Sequence, residues 1–211
     1  MTRHAPAPSA VPGVRILPYG PDALLAEYDA LDAVLSVAAR LRRLALPGVV
    51  DVVAAMRTVL VVHDGADREA VVAVLSDVRL EPPEAGPLVV VPVWYDGPDL
   101  AEVAAATRRS ETEVVAAHTA AEYRVAFCGF VPGFAYLVGL PPELHLPRRA
   151  TPRARVPAGS VAVAAEFSAV YPSATAGGWH LLGHTDLPMW DDTLAEPALM
   201  VPGMRVRFEA R

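Results

Sequence analysis

Cysteine is almost missing from this 211-residue sequence. Cys128 stands alone, so no internal disulfide can form, and the reducing cytoplasm is the default compartment. Lysine is missing altogether. All 18 basic residues are arginine, a usage that genome-wide codon bias explains without reference to function. No apolar run approaches the roughly 20 residues of a membrane-spanning helix. Residues 1–13 start basic but have no apolar h-region, so they do not read as a signal peptide. The net charge of −6 has the wrong sign for a general binder of nucleic acid or acidic membrane. Also missing are a His-x-x-x-His pair, a cysteine pair, a carboxylate cluster, a phosphate loop, a dinucleotide fingerprint and a Gly-x-Ser-x-Gly elbow. The sequence therefore offers no metal site and no familiar nucleophile. What is present, 53% hydrophobic and 20% charged residues, suits an ordinary globular protein of one large or two small domains.

Residues 1–13, rich in Ala and Pro, are expected to fray. From residue 14 the pattern predicts β-β-α-β-β-α. Val14–Leu17 and Ala23–Glu27 read as strands around the turn Tyr19-Gly20-Pro21-Asp22. A helix follows with Leu31, Val34, Leu35, Ala38, Leu41 and Ala45 on one face, Arg40 and Arg43 on the other, and Pro47-Gly48 as its stop. Val49–Ala54 and Thr58–Val62 predict a hairpin, and residues 67–77 a second helix with Ala70, Val71, Val74 and Leu75 inward. Three prolines and two acids in Glu81–Pro87 cannot continue a helix or a central strand, which places a domain boundary at 85/86. The second domain, 86–211, opens with the strand Leu88–Trp94. After the turn Asp96–Leu100, Ser110 and Glu113 form a capping box for a helix reaching Ala117–Thr119. Beyond Tyr123 short apolar segments alternate with Gly/Pro turns. Arg124–Cys128, Ser160–Ala164, Trp179–Leu182 and Met204–Phe208 are the clearer strands, as in a small barrel or sandwich with elaborate loops.

Unusual local chemistry is concentrated in Phe127–Asp186. In Cys128–Leu137 two glycines flank a proline, and Phe130, Phe134 and Tyr136 recur as rigid apolar walls. The segment either lines a pocket or plugs the end of a barrel. In Leu146–Pro157 four arginines and three prolines occur with no acid among them. The guanidinium fork binds carboxylates and phosphates, so this segment is either an anion site or a loop paired with acids elsewhere. Arg148 and Arg153, each directly after a proline, are the better anion ligands. In Gly177–Asp186, His184 lies close to Asp186 and is either a proton carrier or a hydrogen-bonded structural histidine. His118, near the C-terminus of the capped helix, is a second candidate for proton transfer. Ser160 could donate through its hydroxyl or simply hold a turn. Cys128, in apolar surroundings, reads as a small hydrophobe as readily as a nucleophile.

These same residues carry a family resemblance. Tyr123-Arg124-Val125, Gly129-Phe130-Val131-Pro132-Gly133-Phe134-Ala135-Tyr136-Leu137 and Gly139-Leu140 resemble the signature of a family that comprises the B-type subunit of 5-oxoprolinase, allophanate hydrolase subunit 1 and KipI. Pro147-Arg148, Thr151-Pro152-Arg153, Val156–Val161, Tyr171-Pro172, Gly177-Gly178-Trp179 and, upstream, Gly97–Leu100 and His118 fit the same pattern. The resemblance implies an α+β chain: a small α/β N-terminal domain, then a cyclophilin-like β-barrel. It implies a non-autonomous subunit of an ATP-dependent amidohydrolase that converts 5-oxoproline to glutamate. Such a subunit works beside a larger barrel-containing subunit and one further subunit, with ATP bound at the level of the complex. An allophanate hydrolase or urea carboxylase role is the first alternative. An inhibitor of a histidine kinase, working as a homodimer without catalysis, is the second. Carried over by position, Arg148 and Arg153 would hold a carboxylate or a phosphorylated intermediate. Phe130, Phe134, Ser160 and Trp179 would line the substrate, and His118 with His184 would move protons. Two departures stand out. His184 replaces an arginine common among relatives, and Ala165–Ala169 replaces a glycine-rich Gly-x-Gln-Thr-Gly segment.

Overall fold

The structure is a computed structural model that describes residues 10–11, 13–80 and 86–211. The chain divides into two compact units, Met1–Pro83 and Glu84–Arg211. Residues 81–85, where the linker is expected, lie outside the described residues, as do 1–9 and 12.

The first unit follows the predicted order with one addition. Strand β1 (Ala10–Val11), inside the segment expected to fray, pairs with β2 (Val14–Pro18), and β3 (Ala23–Tyr28) follows. Helix α1 (Leu31–Leu44), the hairpin β4 (Val49–Ala54) and β5 (Thr58–His63), and helix α2 (Arg68–Ser76) complete the unit. The sheet order is β1-β2-β3-β5-β4, antiparallel throughout. Ala33, Val34, Val37, Ala38 and Leu41 of α1 and Val71, Val74 and Leu75 of α2 are buried, and the Tyr28 hydroxyl donates to the Leu75 carbonyl. The inward face of α1 is shorter than its periodicity suggests. Ala45 is exposed because it is the left-handed C-cap (φ 43°), so the helix ends before Pro47-Gly48 can stop it. Arg40 spans from α1 to the carboxylate and carbonyl of Asp77.

The second unit opens with β6 (Leu88–Val93), then α3 (Leu100–Thr107) and α4 (Glu111–Ala120). Strands β7 (Tyr123–Cys128), β8 (Ala135–Val138), β9 (Arg153–Val156), β10 (Ser160–Ala164), β11 (Phe167–Val170), β12 (Thr175–Gly177), β13 (His180–His184) and β14 (Arg205–Ala210) follow. Seven of the strands in this unit form one sheet in the order β13-β10-β11-β8-β7-β14-β6, while β9 and β12 pair separately. This is the expected α+β class. The two ends of the sheet meet where Trp94, just past β6, exchanges both backbone hydrogen bonds with His184 of β13, each at 2.9 Å. The sheet thereby becomes a barrel. Pro92 lies in β6 and has no N–H to give, which suits a strand whose far edge carries only a short seam. Val91, Val93, Tyr123, Leu137, Val161, Leu182 and Phe208 fill the interior with Val103 of α3 and Val114 of α4. Burying each such side chain contributes about 1.5–3 kcal/mol. The capping box at α4 forms as predicted: Ser110 Oγ accepts from the Glu113 N–H, and Glu113 accepts from the Ser110 N–H. Among the described residues no helix is long and apolar enough to cross a membrane.

Candidate functional site

The arginine-rich segment is fastened at three points. Asp99, at the mouth of α3, is 1% exposed and does not cap its helix. Its carboxylate instead accepts two hydrogen bonds from Arg153 (2.6 and 2.9 Å), one from Arg149 (2.8 Å) and one from the Leu181 backbone N–H (2.7 Å). Arg149 also reaches Glu102 at 2.6 Å. The buried His180 Nε2 lies 2.9 Å from the Pro147 carbonyl, and the Arg149 backbone N–H donates to the Gly178 carbonyl. Burial by itself would raise the Asp99 pKa. The hydrogen bonds from Arg153 and Leu181 and the charges of both arginines overcome that and hold it below the ordinary carboxylate value.

This fastening separates the two arginines that the sequence treats alike. The fork of Arg153 is committed to Asp99, so its partner is this chain's own carboxylate and not a ligand. Arg148, between the tethered Pro147 and Arg149, is exposed, and among the described residues no hydrogen bond or ion pair reaches its guanidinium. Arg148 stands near the hydroxyls of Tyr136 and Tyr171. Burial holds both pKa values above the ordinary tyrosine value; the charge of Arg148 offsets part of this at each, after the Trp179 backbone hydrogen bond at Tyr171.

Those tyrosines belong to a second apolar layer on the barrel wall. Phe134 packs edge-on against Tyr171 (5.3 Å) and Trp179 (5.6 Å), Tyr136 against Trp179 (5.7 Å), and Phe127 stacks on Tyr136 (4.5 Å). The Tyr171 hydroxyl fits only because residue 177 is glycine, since a Cβ there would run into it. Phe134 and Trp179 are thus brought together in this layer, both buried. Phe130 is placed differently. It is 60% exposed at a loop tip, with its backbone at φ 76° and its ring edge-on to Phe134 at 5.4 Å. The pocket expected near Cys128–Leu137 is an open cleft of about 410 Å³ at the start of that segment, bounded by Cys128–Gly133, Trp190 and Ala198.

The remaining candidates make their hydrogen bonds to partners other than Arg148. His118 is wholly buried, with Nδ1 2.7 Å from the Tyr95 hydroxyl and Nε2 3.0 Å from Ser168 Oγ, and its ring packs on Phe208 at 4.5 Å. Burial pushes its pKa down to about 3, so it stays neutral and, without solvent access, serves the packing of the barrel. Ser168, its buried partner, lies inside the Ala165–Ala169 departure, but only the fold shows that it meets His118. His184 pairs with Asp96 at 2.8 Å, not with Asp186, and stacks on Trp94. Ser160 donates to the Pro157 carbonyl at 2.9 Å, which is the turn-holding role. Cys128 is half-buried, its Sγ 3.6 Å from the Met200 carbonyl. In the departure at 165–169, Ala165 carries φ 50° in the β10–β11 turn, a left-handed position that glycine occupies without strain. Asp99 and Glu102 are the functional neighbours that sequence reasoning missed. Their signal was charge balance, because four arginines with no local acid imply acids from elsewhere.

Comparison with known proteins agrees with this architecture. Residues 14–200 match the model of the carboxyltransferase domain, subdomains C and D. The B-type subunit of 5-oxoprolinase from Escherichia coli O157:H7 is 44% identical over 173 residues, covering 77% of this chain and 78% of that one. The crystal structure of TTHA0988 superposes with a TM-score of 0.72 at 38% identity over 86% of this chain, which spans only 37% of the TTHA0988 chain. The Kluyveromyces lactis urea amidolyase shares the fold over 96% of this chain (TM-score 0.73) at 17% identity, with 15% of its own length covered. The chain belongs to the carboxyltransferase-domain family, subdomains C and D.

Proposed function

We propose that this chain is the B-type subunit of an ATP-dependent 5-oxoprolinase, catalytically silent alone and active beside a larger barrel-containing subunit and one further subunit in the cytoplasm. The observation that carries this reading is the 44% identity to the B-type subunit of a 5-oxoprolinase across most of both chains. The site chemistry supports it. 5-Oxoproline is a small carboxylate on a compact ring. Arg148 offers a fork for the carboxylate and the half-buried Tyr136 offers a hydroxyl beside it, backed by the buried aromatic layer of Phe134, Tyr171 and Trp179. The neighbours of Arg148 are thus groups that bind and orient, which fits a subunit that holds substrate while others complete the chemistry. Phosphoryl activation of the amide by ATP would be supplied by the assembled complex.

The test is ATP-dependent conversion of 5-oxoproline to glutamate by the reconstituted complex. A charge-assisted hydrogen bond is worth about 1.5–3 kcal/mol. Arg148→Ala is therefore expected to raise KM roughly tenfold to hundredfold. Arg155→Ala, a neighbouring exposed arginine, should leave KM unchanged. Full activity in Arg148→Ala would refute the carboxylate site, and a complete complex with no turnover of 5-oxoproline would refute the assignment. Turnover of allophanate in its place would favour the urea-linked role.

A further inference from the structure

We infer that the exposed apolar patch of Phe130, Trp190, Leu194 and Val201 is the surface on which a companion protein chain docks, and that this companion presents an apolar face edged with arginine or lysine. The inference rests on the reading above, in which this chain works only within an assembly. The four side chains are 60, 40, 57 and 40% exposed. They belong to adjoining segments. Gly133 lies against Trp190 and the Met189 carbonyl, Cys128 Sγ lies against the Met200 carbonyl, and the Trp190–Ala198 bridge closes the lobe that carries Leu194. Phe130 and Trp190, with the rest of the loop 128–133 and Ala198, frame the 410 Å³ cleft, which is open enough to take a partner side chain, and Leu194 and Val201 lie on the segments flanking Ala198. Phe130 has a left-handed backbone that a non-glycine residue adopts only at a cost, and that cost is spent on presenting an aromatic ring to water. Exposed aromatics at the lip of a cleft are what a protein interface uses as anchors.

Charge selects the occupant. Asp192 and Glu196 stand exposed on the same lobe, and from Val156 to Met204 the sequence contains neither lysine nor arginine. A second copy meeting this patch about a two-fold axis would bring these acids against their own images, which is unfavourable. A different chain with a basic rim is complementary. The TTHA0988 polypeptide points the same way. This chain accounts for 37% of it, so in that relative a fold like this one is covalently joined to a larger remainder. The companion is accordingly the separate chain that corresponds to that remainder. Phe130 touches Phe134, which packs on Trp179, so a chain seated on the patch also reaches the edge of the aromatic layer.

The experiment measures the Kd of the full-length chain for the companion larger subunit from the same source, at low and high salt. Phe130→Asp and Leu194→Asp should each weaken binding at least thirtyfold. The second replaces an exposed side chain at a loop tip and leaves the fold intact. Asp192→Asn with Glu196→Gln should weaken binding about tenfold at low salt and flatten the salt dependence. Arg148→Ala should bind normally while its KM for 5-oxoproline rises. An unchanged Kd in Phe130→Asp and Leu194→Asp overturns the interface, as does failure of the wild type to bind the companion. Disruption by these variants of a homodimer alone, with companion binding intact, overturns it too. Normal turnover in Arg148→Ala alongside lost binding in Phe130→Asp would refute the carboxylate site and leave the interface standing.

Discussion

Asp99 is a carboxylate that water barely reaches, yet it is the best-connected acid in the barrel unit, joining α3, β9, β13 and the loop before β9. Removing one member of a buried charge cluster leaves the others desolvated and unpaired. Asp99→Ala is therefore expected to cost about 3–5 kcal/mol, read from urea denaturation. Its pH behaviour follows in sign. Because folding holds its pKa below the unfolded value, the stability it adds is present above about pH 4 and is lost as the pH falls through the lowered value. His118 acts in the same direction from higher pH. The unfolded imidazole takes a proton near pH 6.5, the folded one only near 3, so in between the unfolded chain binds more protons. Acidification across that window should remove up to about 1.4 kcal/mol per pH unit. His118→Gln should flatten the pH dependence of the urea midpoint between pH 6.5 and 4 and leave the steeper fall below pH 4. An unaltered slope would mean that His118 takes its proton as easily folded as unfolded.

Among the elements, those with local causes were legible. The capping box of α4, the hairpin of β4 and β5, the valine-rich β6 and the apolar faces of α1 and α2 all follow from residues within a few positions of one another. Elements that exist only through distant partners were not. The short pair β9 and β12, the seam between Trp94 and His184, and the fastening of the arginine loop by Asp99 depend on residues tens of positions apart. For that reason the sequence could name Arg148 and Arg153 together but could not tell which of them has its own carboxylate. It likewise placed His118 on a helix without showing that its ring points into the core. The seam makes a prediction of its own. A Cβ on Gly183 would run into the Trp94 carbonyl oxygen. Gly183→Ala should therefore cost about 1–3 kcal/mol. It should speed hydrogen exchange at the Trp94 and His184 amides while the amides of β10 and β11 keep their protection.

At the scale of the whole molecule, resemblance carried what periodicity could not. Motifs spread through the sequence identified the barrel, whereas strand patterns alone left barrel and sandwich undecided. The order of the strands also has a consequence for how the chain is made. β6 is the first strand of its unit to be synthesised, and it lies parallel to β14, the last, in register from Leu88 with Arg205 to Val93 with Ala210. During translation a valine-rich edge must wait, unpaired, for more than a hundred further residues to emerge before its ladder can form. Such an edge is a template for wrong pairing, and the delay is the kind that recruits chaperones. The barrel is thus completed by its two most distant strands, so the nascent chain is most prone to aggregate just before the last strand arrives.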